Sequence, residues 1–336
     1  MEITGIIHEP RCELLRLVTG GEFEGWSPGV KAPAAEAVID LLEPVLLGNT
    51  AWERDRLWRE CLETGRDAGL APTAWGIVDV ALWDLFAKAQ NLPLFRAIGG
   101  FRDRVPAVCR GSRGASVEPR IDEAIAARDS GLFGYIVRAT RDADLIDALP
   151  ALRAAVGAGF RLLYDAGQAF ELEQALTVGR ALEQIDAHWF SEPLRGGDVT
   201  GLQKLSDALE IPVVAGAFMG DAILAGTRAL TTRAVDRLRV DIPQAGGITA
   251  ALKLARGAEA LQMNCEIDWS AATAPHAAAH LLGALRNAEF FAIDGATAGV
   301  TGFHDLSIVD GELLLPSEPG LGLRLTDSIQ LSRNPS

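Results

Sequence analysis

Two acidic residues end successive short apolar runs in this chain. Asp165 closes Phe160-Arg161-Leu162-Leu163-Tyr164-Asp165, and Glu192 closes His188-Trp189-Phe190-Ser191-Glu192 before Pro193. Carboxylates shown side by side at strand ends either share a divalent cation or are neutralised by arginine. The next run, Ile211-Pro212-Val213-Val214-Ala215-Gly216, is followed by Ala217, so no third carboxylate falls where the series would put one. Asp241 and Asp268 end two later runs. Two such acids, if close, can split their pKa values and serve as base and acid. Asp268 also reads as a loop cap. Arg110 and Arg138 end two earlier runs. Arginine, with a pKa above about 12, holds carboxylates well and is a poor base.

These groups need a rigid support, and the pattern of the chain supplies one. Residues 3–8, 12–18 and 22–26 alternate like a small antiparallel sheet, followed by helical patterns over about 33–47, 51–65 and 71–90. From Val105 the rhythm becomes strand, helix, strand, helix. Strands are predicted at 105–110, 134–139, 160–165, 187–192, 211–215, 236–241, 263–268 and 289–293, with Ala-, Leu- and Arg-rich helices such as 172–185, 247–261 and 275–286 between them. Eight such strands in under about 200 residues suit an α/β TIM-type barrel better than an open sheet. The division reads as an α+β capping domain over 1–100, a barrel over 101–298, and a segment over 299–336 that packs back on the cap. Val309-Asp310-Gly311-Glu312 looks like a hairpin turn. In a barrel, chemistry sits at the C-terminal strand ends, where Arg110, Arg138 to Thr140, Asp165, Glu192, Ala217, Asp241, Asp268 and Ala292 all fall.

The net charge of −14 argues against nucleic acid and anionic membranes as partners. No apolar run approaches the roughly 20 residues of a membrane span. The start, Met1-Glu2-Ile3-Thr4-Gly5, lacks the basic and apolar regions of a secretory signal, so a cytoplasmic location is expected. Cys12, Cys61, Cys109 and Cys265 show no metal-type spacing and read as buried free thiols. A small carboxylate substrate and a homo-oligomeric assembly complete the expected partners.

Thr73-Ala74-Trp75-Gly76-Ile77-Val78-Asp79-Val80-Ala81-Leu82-Trp83-Asp84-Leu85-Phe86-Ala87-Lys88, then Leu92-Pro93-Leu94-Phe95 and Gly99-Gly100, resembles the signature of the enolase superfamily. The nearest subgroup is the mandelate racemase-like proteins and acid-sugar dehydratases. Tyr164-Asp165-Ala166, Ser191-Glu192-Pro193-Leu194, Asp241 with Gly246-Gly247-Ile248-Thr249, and Pro319-Gly320-Leu321-Gly322 match later family segments in order. The resemblance implies a (β/α)7β barrel under an α+β cap. It also implies Mg²⁺ chemistry: the ion binds a substrate carboxylate, a base removes the α-proton, and the enediolate is stabilised.

Several family positions are changed. The third ligand falls at Gly216 or Ala217, leaving Asp165 and Glu192 to hold Mg²⁺ weakly. The usual lysine pair becomes Arg138 and Thr140. Asp241 matches the family Asp of an Asp–His dyad, Asp268 stands at the His position, and His276 lies nearby as a reserve. The eighth-strand Glu matches Ala292. Arg138 is also placed to plug the space between the two acids. In the capping loop Gly20 to Gly29, Trp26 and Ser27 are the substrate-binding candidates, with Arg110 from the barrel. Two readings follow. One is a dehydratase or isomerase acting on a hydroxy acid or acid sugar, and the other is a catalytically silent homologue that binds or scaffolds.

Overall fold

Strands β1 (Ile3–Glu9), β2 (Leu14–Thr19) and β3 (Gly25–Ser27) form an antiparallel sheet in chain order. Helix α1 (Ala32–Leu46) takes Pro33 in its first turn, where the missing N–H is harmless. It turns Ala35, Val38, Leu42 and Leu46 inward at helical spacing. Helix α2 (Arg54–Asp67) follows, then α3 (Pro72–Ala89) and α4 (Leu94–Ala97). Helix α3 is buried almost all round, because β3 and α2 lie on one side and the barrel on the other. This is a computed structural model, and it describes residues 1–113, 117–139, 144–195, 198–217, 221–270, 275–294 and 300–332.

The barrel strands are β4 (Arg104–Arg110), β5 (Gly134–Arg138), β6 (Arg161–Asp165), β7 (Trp189–Ser191), β8 (Val213–Ala215), β9 (Arg237–Asp241), β10 (Asn264–Asp268) and β11 (Phe291–Asp294). Between them run α5 (Val117–Asp129), α6 (Asp144–Val156), α7 (Leu172–Gln184), α8 (Val199–Ala208), α9 (Ala222–Thr231), the short α10 (Ile242–Ala245), α11 (Ile248–Ala260) and α12 (Pro275–Ala284). Strands β4 to β10 pair in parallel with their neighbours in sequence, and β11 returns to pair with β4. The fold is an α/β TIM-type barrel with an N-terminal cap. Val108, Leu163, Trp189, Val214 and Phe290 fill part of the barrel interior.

The tail departs from expectation in one respect. Strands β12 (Ile308–Val309) and β13 (Glu312–Leu314) form the hairpin expected at 309–312, but β13 pairs with the first half of β4. The hairpin is therefore a barrel element. The chain beyond it runs along the cap, where Gly320 exchanges backbone bonds with Leu92 and Leu94 and Ser332 bonds Glu9.

The long motif on α3 joins cap to barrel. Buried Asp79 accepts from the Thr249 amide at 2.7 Å and its hydroxyl at 2.6 Å, and Trp58 donates to the Gly246 carbonyl at 2.8 Å. Asp84 accepts from the amides of Trp26 and Leu321, joining cap, helix and tail. Gly247 sits at φ 110°, and a Cβ there would lie 2.4 Å from an Asp79 carboxylate oxygen. Gly247→Ala is expected to lower stability by about 2–3 kcal/mol through backbone strain and the displaced carboxylate. The midpoint of urea unfolding measures it.

Candidate active site at the barrel mouth

Strand register sets the site. Arg138 pairs with Asp165 and Asp165 with Ser191 across β5, β6 and β7. Asp268 pairs with Asp241 across β10 and β9, and Asp294 with Arg110 across β11 and β4. Side chains two apart on a strand share a face. Arg239 therefore points into the barrel with Asp241, and so does Arg237.

Arg239 is the residue that sequence reasoning misses. Its Nη1 lies 3.3 Å from Asp165 Oδ1 and 3.1 Å from Ser191 Oγ. Its Nε donates to Asp268 Oδ2 at 3.0 Å, and Nη2 makes a second bond to the same oxygen. The barrel interior here is closed down to a cavity of about 40 Å³ lined by Asp165, Ser191, Arg239 and Asp268 among apolar neighbours. Arg110 completes the network. It bonds Asp268, the Trp269 carbonyl at 3.2 Å and Asp294 at 3.3 Å, and lies over the Trp269 ring at 4.4 Å.

Glu192 is held in a left-handed backbone conformation, φ 47°, unusual for a residue with a side chain. Its Oε1 accepts the amides of Gly216 at 3.0 Å and Ala217 at 2.9 Å. Burial pushes this carboxyl up to about 7, with the Arg239 charge and the Ala217 and Gly216 amides opposing and the Asp165 charge adding to the rise.

These residues do not fit Mg²⁺. The ion needs six oxygens at about 2.0–2.1 Å in octahedral array. Asp165 instead faces a guanidinium, Glu192 is turned to two amides, and Ala217 offers no ligand. Among the described residues no group of three or more His, Cys, Asp or Glu is arranged to hold a metal. At the place where a weak Mg²⁺ site is expected, beside Asp165 and Glu192, the structure puts a different cation, the guanidinium of Arg239.

The other candidates fall in different places. Arg138 does not plug the acids. Its Nη1 lies 3.9 Å from Asp294, and burial with the Arg113 charge lowers its pKa. Asp268 does not carry a proton near neutrality, because Arg239 and Arg110 overcome its burial and hold it well below the usual carboxylate range. Asp268 Oδ1 also accepts the Trp269 amide at 2.8 Å, as a loop cap does. Asp241 moves the other way, raised by burial and then by the Asp268 charge. The two acids do split, but Asp268 is an anchor for arginines. Asp241 Oδ1 accepts from the Gln244 amide at 3.0 Å and from Ser270 Oγ at 3.0 Å.

His276 is buried in α12 beside a hollow lined by the tail residues His304, Pro316 and Arg324, and burial holds its pKa down to about 3. Trp26 packs edge-on to Phe303 at 6.3 Å under the Lys88 ammonium at 4.3 Å, so it joins cap to tail. Ser27 does line a cavity, of about 510 Å³, between cap and barrel. Val30, Lys31, Ile77, Ile242 and Ser270 share that wall. Ser270 thus links the cavity to Asp241. Thr140 lies outside the described residues.

A second ionic layer lies deeper. Arg237 Nη1 is 2.9 Å from Glu266 and 2.8 Å from Glu289, and His188 is 2.9 Å from Glu289. Burial pushes Glu266 and Asp79, like Glu192, up to about 7. Acids raised in the fold favour it below their unfolded pKa and lose that contribution as pH rises through the folded value. His276 and His280, held down to about 3 and 4, oppose this below pH about 6.5. Three acids outweigh two histidines, so Tm is expected to fall as pH rises from about 5 to about 8. A scan of Tm against pH checks the sign.

Comparison with known proteins agrees with this architecture. Residues 4–99 match the mandelate racemase / muconate lactonizing enzyme N-terminal domain, and residues 122–329 match the enolase C-terminal domain-like family. Arabinonate dehydratase of Saccharolobus solfataricus is 27% identical over 98% of this chain and 92% of its own length. L-talarate/galactarate dehydratase of Salmonella typhimurium is 31% identical over 62% of this chain, and the match spans about half of that relative, 54%. L-Ala-D/L-Glu epimerase of Bacillus subtilis is 27% identical over 85% of this chain and 79% of its own. Among solved structures, the L-talarate dehydratase of a Polaromonas species, complexed with Mg and L-glucarate, superposes with TM-score 0.83. It has 28% identity over 94% of this chain and 86% of that one. The relatives are thus dehydratases and epimerases. With both of its domains matched in order, the chain belongs to the enolase superfamily, in the mandelate racemase and muconate lactonizing enzyme branch.

Proposed function

We propose that this chain is a lyase or isomerase acting on a small hydroxy acid, with Asp241 as the proton acceptor. The observation that carries the reading is the hydrogen bond from Ser270 Oγ to Asp241 Oδ1, 3.0 Å, at the wall of the cap–barrel cavity. A proton released from a substrate carbon at that wall reaches Asp241 through the Ser270 hydroxyl. Burial and the Asp268 charge raise the Asp241 pKa, which makes it a stronger base than an ordinary carboxylate. Arg138, held loosely by Asp294 at 3.9 Å with the Asp165 charge also near, is the cation we assign to draw in a carboxylate. Val30, Ile77, Val80 and Ile242 make much of the wall apolar. Substrate hydroxyls buried against such a wall lose hydrogen bonds, so short hydroxy acids fit better than the polyol acids handled by the dehydratase relatives.

The test is deuterium incorporation from D₂O into a panel of hydroxy acids and acid sugars, read by NMR. Exchange from one face only, strongest for short hydroxy acids, is expected. No exchange on any member would replace this reading with a catalytically silent binding protein.

A further inference from the structure

Arg239 ties two strands that carry the expected metal ligands, β6 and β7, to the opposite side of the barrel mouth. From β9 it reaches Asp165 on β6, Ser191 on β7 and Asp268 on β10. Four of its five N–H donors are accounted for by those contacts. The charges also close. Asp165 and Asp268 face Arg239 and Arg110, and Glu192 is satisfied by two backbone amides. A divalent ion placed here would meet a fixed positive charge at contact distance, and nothing in the network would pull that charge away. The cavity of about 40 Å³ holds about one water, not a hydrated ion.

We propose that the Arg239 guanidinium is the resident cation of this site, so that the chain works without a divalent metal and removing the arginine restores a metal site. The proposal rests on the functional reading above only in taking the barrel mouth as the place of chemistry. The prediction has two sides. The native protein should ignore Mg²⁺, and the variant lacking the guanidinium should bind it, because Asp165 then loses its cation beside Glu192, while Asp268 keeps Arg110.

The experiment titrates Mn²⁺ and follows the free-ion signal by electron paramagnetic resonance, with thermal unfolding in about 10 mM Mg²⁺ as a second readout. The proteins are wild type, Arg239→Ala, Arg239→Gln and the double variant Arg239→Ala/Asp165→Asn. Wild type should leave the Mn²⁺ signal and Tm unchanged. Both single variants should remove Mn²⁺ from solution at least tenfold more strongly, and Mg²⁺ should raise their Tm by several degrees. The double variant should lose both effects. If a single variant fails to fold alone, recovery of its native circular dichroism on adding Mn²⁺ supports the proposal, and no recovery overturns it. Mn²⁺ binding by wild type that is abolished in Asp165→Asn overturns it. So do single variants that bind no better than wild type. None of these readouts uses turnover, so a protein that exchanges no substrate proton still shows whether the guanidinium occupies the place of the metal.

Discussion

Arg239→Met should destabilise the protein by about 3–5 kcal/mol at neutral pH, the usual effect of removing one partner from a buried ionic set. Methionine keeps most of the length and apolar stem of arginine, so packing changes little. The lost part is charge. Asp165 loses the guanidinium 3.3 Å away, and Asp268 keeps only Arg110. The pH dependence tests the cause. In wild type the Asp268 pKa is depressed, so its contribution is present above the unfolded value near 4 and is lost as pH falls through the folded value. The difference between wild type and variant should therefore be widest near pH about 7 and shrink toward pH about 3. Urea unfolding at several pH values measures it. A gap that stays constant with pH would assign the effect to packing.

Asp241→Asn should lower substrate proton exchange by about 10²–10⁴-fold, the usual worth of a positioned general base. The fold should survive, because the asparagine oxygen still accepts the Gln244 amide and the Ser270 hydroxyl. That separation matters, since Asp241 also caps α10. A purely capping aspartate would show little change in exchange in the variant. Exchange rates by NMR, beside a melting curve, distinguish the two roles.

Much of this is legible in the sequence, and what is not has a common cause. Asp165, Glu192, Asp241 and Asp268 stand out because each ends an apolar run in a strand–helix rhythm, and that rhythm survives any change in chemistry. Arg239 escapes notice although the signal is present. Arg237, Arg239 and Asp241 alternate with Leu238 and Val240, so whichever face holds Asp241 also holds both arginines. A barrel strand is expected to send apolar residues inward, and that expectation hides two ionic layers. Arg138 looks like the plug because it aligns with a family lysine, but the strand register places it on the far side of Asp165. The surroundings of Trp26 and His276 are hidden for a different reason. Trp26 packs on Phe303 and His276 borders a hollow lined by tail residues, and local sequence gives no hint of which distant segment will cover an element. The motif on α3 reads correctly as a family mark, yet its physical work is to clamp Gly247 and the tail, which only three-dimensional contacts reveal.

The arrangement of β4 sets a timetable for biosynthesis. This strand has β5 beside it soon after it is made, but its other neighbours, β11 and β13, come about 180 residues or more later. Glu9 and Arg16 likewise wait for Ser332, and Asp84 for Leu321. Contacts so distant along the chain slow folding. A nascent chain stalled before residue 290 would have made seven barrel strands and still lack the pieces that close the ring. Throughout that interval the β4 edge stays open, and open edges recruit other chains. Any help from a chaperone should therefore be needed from the completion of β4 until β11 and β13 have been made.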